Sequence, residues 1–564
     1  MSNADGSAGR PAETQAATPG EAEEFTPLPR RQVILTMAGV MLGMFLASLD
    51  QTVVGTAMPR IVADLGGLDR FTWIATAYLV ASTTAVPIVG RLTDIYGRKY
   101  FYIAGIVVFL VGSVLAGLSQ TMNQLIACRA LQGLGGGVIF ANAFVSIADL
   151  FPPAERGKYQ GLVAAVFGIS SVIGPTLGGF LTDTLSWHWI FYINLPLGIP
   201  IIALFIIYFP NMRVGTGKRQ IDYLGMMLLI ATVVPLLIGL SWGTTEYGWT
   251  SVQLLGFLAF SLVAGTLFIV VERRVAEPIM PLSIYRNRTV SLALLAIFLT
   301  GFGMFGGIIF IPLFFQGVLG ESATNSGAFL TPMMLGMVFG AAISGQTLSR
   351  MGGHYRIQGL IGTAIMGTGI ALTSRMTADT SSAQAVVNIV VMGLGLGITF
   401  PGFTIAVQNA VPHRVVGAAT SATQFYRSIG GTLGLAVLGS VMTNRFGDAL
   451  INALPQQVAG TVPPELLVQL QESPQALVDP NATAALAGAF SRLGPNGAAL
   501  LEQVLAGVRS ALAAAISDVF LVSAGVVVLA FAATLFLREV PLRGRGIGSD
   551  EAEAGAPARE PAVL

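Results

Sequence analysis

Two residues of opposite charge stand where a hydrocarbon interior would not tolerate either alone: Asp50, in the apolar run 33–57, and Arg129, in the apolar run 123–150. An ionised carboxylate inside a bilayer is costly, so Asp50 must either hold a proton or find a cation. If the first run leaves the inner surface as a helix and the second returns to it, a rise of about 1.5 Å per residue brings both charges into the outer half of the membrane. A proton arriving on Asp50 would weaken an Asp50–Arg129 pair and its departure would restore it, which is the chemistry of a protonation switch. A purely structural ion pair is the alternative, and full activity in Asp50→Asn would favour it.

Other polar groups interrupt the apolar runs. Arg427, with Gln424 and Tyr426 close by, either faces a central cavity or snorkels to the outer surface. Tyr78, Gln132, Asn142, Gln316, Gln408, Asn409 and Gln424 join Arg427 as candidates for substrate contact, although interhelical hydrogen bonding would use the same residue types. Ser170, Gly174 and Gly178 recur every four residues, and Gly336, Gly340 and Ser344 repeat that spacing. Such stripes let helix backbones approach closely. The two are expected to pack on each other across the molecule and seal one side of a cavity, with packing inside one half as the alternative. The three histidines, His188, His354 and His413, are scattered, and no Gly-x-x-x-x-Gly-Lys-Ser/Thr loop is present. No metal, cofactor, ATP hydrolysis or enzyme activity is therefore expected. Cys128 has no second thiol to pair with and reads as a small packed side chain.

These groups need elements that can hold them in lipid. Of 564 residues 53% are hydrophobic and only 10% charged, against about 25% charged in soluble domains. The net charge of +1 offers no basic field for nucleic acid. Apolar segments of spanning length lie at 33–57, 71–90, 100–120, 123–150, 159–183, 188–209, 223–242, 252–272, 289–317, 326–347, 357–376, 383–410, 415–443 and 516–538. Segments this long are helices, because each must satisfy its own backbone in lipid. The fold class expected is an all-α polytopic membrane protein with 14 helices. Under that count 22 of the 30 Lys and Arg fall on one face and six on the other, which puts both termini in the cytoplasm of a cell-membrane protein.

The organisation expected is a disordered tail 1–32, six helices over 33–209, an inserted pair with its linkers over 210–288, six helices over 289–538, and a tail 539–564. Within the long loop 445–515 the spacing of apolar residues allows amphipathic helices on the outer membrane surface, a tolerated loop insertion without function being the alternative. An internal repeat supports the division. The charged turn Gly90-Arg-Leu-Thr-Asp94-Ile-Tyr-Gly97-Arg98-Lys99 follows the second segment, and the same glycine spacing, Gly345 to Gly352, follows the tenth, with Ser349 in the place of Asp94.

The chain resembles the 14-helix drug:proton antiporters of the major facilitator superfamily. Gly90, Asp94, Gly97, Arg98 and Lys99 match the superfamily's turn, and Leu49-Asp50-Gln-Thr52-Val-Val54-Gly55-Thr-Ala57-Met-Pro59 matches the helix 1 pattern, with Gly55 where members often carry Asn. Arg129-Ala-Leu-Gln132-Gly133-Leu-Gly135 is similar to the helix 4 pattern. Gly174-Pro175-Thr-Leu-Gly178-Gly179 is similar to the motif associated with exporters, with Ser170 where a Gly usually leads. Trp187-His188-Trp189-Ile-Phe-Tyr-Ile-Asn194-Leu-Pro196 looks typical of this branch. The resemblance implies a major facilitator fold of two six-helix bundles, with substrate bound between them. It also implies that Asp94 latches onto the N-terminus of a helix in the other half, near Gly417-Ala418-Ala419. The function expected is export of amphipathic, cationic or neutral drug-like compounds in exchange for protons, the protein acting as a monomer in lipid. Export of an endogenous lipid, antibiotic or siderophore on the same fold is the alternative.

Overall fold

The computed structural model describes residues 29–66, 70, 72–210, 221–242, 248–321, 330–350, 354–412, 415–453, 488, 490 and 497–539. Residues 1–28 and 540–564 of the two tails, most of the 445–515 loop including Pro464, Gly352, His413 and several of the cations used to orient the chain lie outside them.

Fourteen long helices stand among the described residues. The first six are α1 Arg30–Leu65, α2 Thr72–Tyr96, α3 Arg98–Gly117, α4 Met122–Leu150, α5 Pro153–Thr184 and α6 Trp189–Tyr208. Two more follow, α7 Tyr223–Trp242 and α8 Val252–Glu272. The remainder are α9 Arg288–Leu313, α10 Leu330–Arg350, α11 Tyr355–Thr373, α12 Ser382–Asn409, α13 Val416–Ala453 and α14 Gly497–Leu535. Local signals explain many of the ends. Gly97, at φ 93°, turns the chain between α2 and α3 in a conformation that other residues adopt only at a cost. The Thr121, Ser251 and Ser381 side chains accept the first free amides of α4, α8 and α12. Pro153 opens α5, where its missing N–H costs nothing. Asp222 accepts from Gly225 N at 2.7 Å at the start of α7.

Eleven of these helices are long and apolar enough to cross a membrane. The other three, α10, α11 and α13, carry more Gly, Ser, Thr and Gln, and their apolar partners are other helices as much as lipid.

Within the first six helices α1 packs on α4, α5 and α6, and α4 on α2 and α3; within the last six α12 packs on α10 and α11, and α13 and α14 on α9. The two groups meet through α5 with α10 and through α2 with α13. The pair α7–α8 packs mainly on itself and reaches the rest through α2 and α13. This is the two-bundle arrangement with an inserted pair. The start of α1 lies beside the end of α6, with Gln32 Nε2 and Thr36 Oγ1 donating to Tyr208 O at 3.1 and 3.2 Å. The start of α9 likewise meets the end of α14, through Thr289 Oγ1 and Arg538 O at 3.1 Å. The side of the bundle holding these ends is the terminal face.

One expectation is corrected. The segment 415–443 is the first part, and 516–538 the last part, of much longer helices, of 38 and 39 residues. Residues 498–505 continue α14 instead of lying on the membrane surface. Val504, with Val508 and Leu512 further along α14, shares one buried cluster with Phe446 and Leu450 of α13.

Candidate proton-coupling and gating sites

Asp50 and Arg129 meet inside the first bundle. Arg129 Nη1 lies 2.6 Å from Asp50 Oδ2, and the two residues are 1% and 2% exposed. Neutral donors and acceptors complete the cluster. Gln132 Nε2 donates to Asp50 Oδ1 at 2.8 Å, Asn194 Nδ2 donates to the same oxygen at 3.0 Å, and both amides also donate to Ser113 Oγ. Arg129 donates further to Gln132 Oε1 at 2.6 Å and to Ile74 O at 3.3 Å, with its guanidinium 4.5 Å above the Tyr78 ring. Five helices, α1, α2, α3, α4 and α6, thus converge on one carboxylate. The close helix approach is set by glycine: a Cβ on Gly133 or Gly136 would collide with Tyr78, and one on Gly112 with the α4 backbone at Gln132. Gln132 and Tyr78, expected at the substrate, both lie in this cluster and are buried.

A second charged group lies at the terminal face. Arg98 is 1% exposed and bridges two acids: Nη1 is 3.0 Å from Asp94, while Nε and Nη2 grip Asp149 in a bidentate pair. Asp94 Oδ2 accepts from Ala418 N, at the N-terminus of α13, at 3.2 Å. The neighbouring glycines have no room for a side chain; a Cβ on Gly417 would strike Asp94, and one on Gly90 would strike Ser421. Lys99 differs: it is half-buried and donates to Ile206 O at 2.8 Å.

The small-residue stripes do not meet each other. Gly174 and Gly178 face Thr52, Val53 and Thr56 of α1, while Gly336 and Gly340 face Val390 and Leu394 of α12, each within its own bundle. Pro175 sits inside α5 between the first pair, and a Cβ on Gly179 would have no neighbour within 4 Å. The α5–α10 seam is built from other residues, Gly157 against Gly345, Gly161 against Ala341 and Gly168 against Val338. Gly345 is the counterpart of Gly90 in the internal repeat. Each therefore touches the start of a helix in the opposite bundle, one at α5 and one at α13.

Of the other candidates, Gln408 belongs to the seal, accepting from Gln160 Nε2 across the seam at 3.4 Å and donating to Thr420 Oγ1 at 3.1 Å. Asn142 is buried and donates to Val138 O on its own helix. Gln316 is half-buried in a π turn, Phe314–Val318, that follows α9. Gln424 and Arg427 lie on α13 near the seam, and the Arg427 guanidinium covers the Phe400 ring at 3.7 Å. A cleft of about 1200 Å³ at the terminal face is bordered by Arg91, Glu272, Glu277 and Arg286; there Arg91 pairs with Glu277 at 3.0 Å.

Residues 40–435 match the Major Facilitator Superfamily. The chain belongs to that superfamily. It is a multi-pass membrane transporter, not an enzyme. It is 41% identical over 468 residues to the multidrug transporter protein MdtP of Bacillus subtilis, covering 81% of this chain and 86% of that one. It is 42% identical over 415 residues to multidrug resistance protein 3 of the same organism, covering 74% and 80%. Among solved structures it is similar in fold to the human organic anion transporter MFSD10 at a TM-score of 0.56, with 13% identity over 89% of this chain and all of that one.

Within this major facilitator protein, sequence reasoning missed Ser113, Asn194, Asp149 and Gly157 as functional positions. Asn194 stood inside a quoted motif without a role. Asp149 is an acid one residue from a helix end, a common place for a solvated charge. Only folding brings it, 51 residues along the chain, against Arg98.

Proposed function

We propose that this transporter exports amphipathic compounds in exchange for protons, by rocking its two bundles about a substrate site between them. The observation that carries the reading is the membrane-buried Asp50–Arg129 cluster. Loss of the carboxylate charge would release Arg129 and two amides at once, and Asp50 stands on the helix that packs against the Gly174–Gly178 stripe of α5. Thr52 Oγ1 also donates to Ser170 O at 3.1 Å, two residues from the acid. A change of protonation is thereby tied to the position of α5, and α5 forms one of the two seams between the bundles.

The terminal face is assigned to the cytoplasm of the cell membrane by the excess of Lys and Arg there. In the state described, its two seams are shut, with Asp94 on the α13 N-terminus and Gly157 against Gly345. Gly90, Gly97, Arg98 and Lys99 complete that gate, and the protein works as a monomer in lipid. The names of the Bacillus relatives favour drug-like cargo. Purified protein in liposomes should accumulate substrate uphill under an imposed pH gradient and lose that accumulation with an uncoupler. Asp50→Asn should keep downhill movement and lose the uphill component; equal uphill transport by the variant would sink the reading.

A further inference from the structure

Three buried N–H-bearing atoms on one face of α13 have no hydrogen-bond partner among the described residues: Nε2 of Gln424 and Nε and Nη2 of Arg427. The two residues are three apart, so they are neighbours on the helix surface. Arg427 is 7% exposed, and no carboxylate of the described residues lies within ion-pair distance of it. The acids deep in the bundles are already engaged, Asp50 with Arg129 and Asp94 and Asp149 with Arg98. A guanidinium buried without an anion is costly and is left so only where something else supplies the charge.

The surroundings say where that something enters. Arg427 stacks on Phe400 of α12, whose ring lies 5.8 Å from Phe144 of α4, so the stack reaches across the seam between the bundles. Phe400 is grouped with the apolar cluster of the first bundle although it belongs to the second. Along the helices, a rise of about 1.5 Å per residue puts Phe400 and Arg427 both roughly 15 Å above the cytoplasmic ends of α12 and α13, near mid-membrane. The cluster is two buried rings, Phe400 and Phe144, beside unpaired donors and a guanidinium that has a ring face but no carboxylate of the described residues against it.

We propose that Gln424 and Arg427 receive the carboxylate of the transported amphiphile while Phe400 and Phe144 hold its apolar body, so that the cargo class is carboxylate-bearing compounds and not permanent cations. This rests on the exporter reading above and narrows its substrate.

Matched pyrene probes carrying a butyrate, a butyramide or a butyl-trimethylammonium chain separate the possibilities, measured by equilibrium binding to the purified full-length protein in lipid nanodiscs. The wild type should bind the butyrate at least about tenfold more tightly than the amide, a preference typical of one charged hydrogen-bonded contact. Arg427→Gln should abolish that preference while leaving amide binding in place, which also shows that the variant is folded; Arg427→Lys should retain part of it. Tighter binding of the trimethylammonium probe, no binding of the butyrate, or an unchanged preference in Arg427→Gln would overturn the proposal. Binding needs no proton gradient. Failure of proton-driven transport with the butyrate preference intact would therefore count against the exporter mechanism alone.

Discussion

Asp50 is held by three donors, and only one of them is charged. Breaking a buried ion pair from one side leaves the other charge stranded, at a cost of about 3–5 kcal/mol. Arg129→Met should therefore lower the thermal unfolding temperature of the detergent-solubilised protein markedly. Adding Asp50→Asn should recover most of the loss, because a neutral amide needs no cation. A double variant as unstable as Arg129→Met would mean that the arginine acts through its packing on Tyr78 instead. The pair was legible in the sequence because charges are rare in apolar runs, and their depth followed from helix rise. Its neutral partners were not: Ser113 and Asn194 are ordinary polar residues, and Asn194 reaches Asp50 from 144 positions away.

At the scale of helices, the seal rests on two seams of different character. The α2–α13 seam has a carboxylate against a helix N-terminus, worth between about 0.3 and 2 kcal/mol. The α5–α10 seam has Ser349 in the position of the acid, with its hydroxyl turned back to Gly345 O at 3.0 Å, and is closed by glycine contact. Gly345→Leu should force a side chain into the α5 backbone and hold the terminal face open. With spin labels on cysteines at the exposed positions Tyr96 and Arg350, in a Cys128→Ser background, pulsed EPR should show the interlabel distance shifted to longer values. Asp94→Asn should add only a minor long-distance population by the same measurement. Distances unchanged in both variants would remove these seams as gates. The four-residue spacing of small residues correctly marked helices with close neighbours. It could not name the neighbour, because a stripe records which face is narrow and not what lies against it. Gly174 and Gly340 therefore found partners inside their own bundles, while the contacts between bundles fell to Gly157 and Gly345.

For the whole molecule, the count of long helices and their grouping were legible from hydrophobic length and the repeated turn, although only eleven of the fourteen are apolar enough to cross a membrane by that measure alone. Helix ends beyond the hydrocarbon were not, since nothing apolar marks where a helix stops in water. The orientation yields a direct check. In the Cys128→Ser background, a cysteine at the exposed Asp379, between α11 and α12, should react with a membrane-impermeant maleimide on intact cells. One at the exposed Ser283, in the linker before α9, should react only after lysis. The opposite pattern would invert the molecule and turn an exporter into an importer.

The length of α13 has a mechanical consequence. At 38 residues it is about 57 Å long, against a hydrocarbon thickness of about 30 Å. Its base holds the Asp94 latch, Arg427 stands about a third of the way along it, and in the orientation proposed above its tip, clasped to α14, projects into the external medium. A lever of that reach turns a tilt of about 10° at the foot into a sweep of about 10 Å at the tip. Under the proposed orientation the far end of α13 amplifies movement at the Asp94 latch, and an antibody fragment gripping that mast from outside the cell should slow transport.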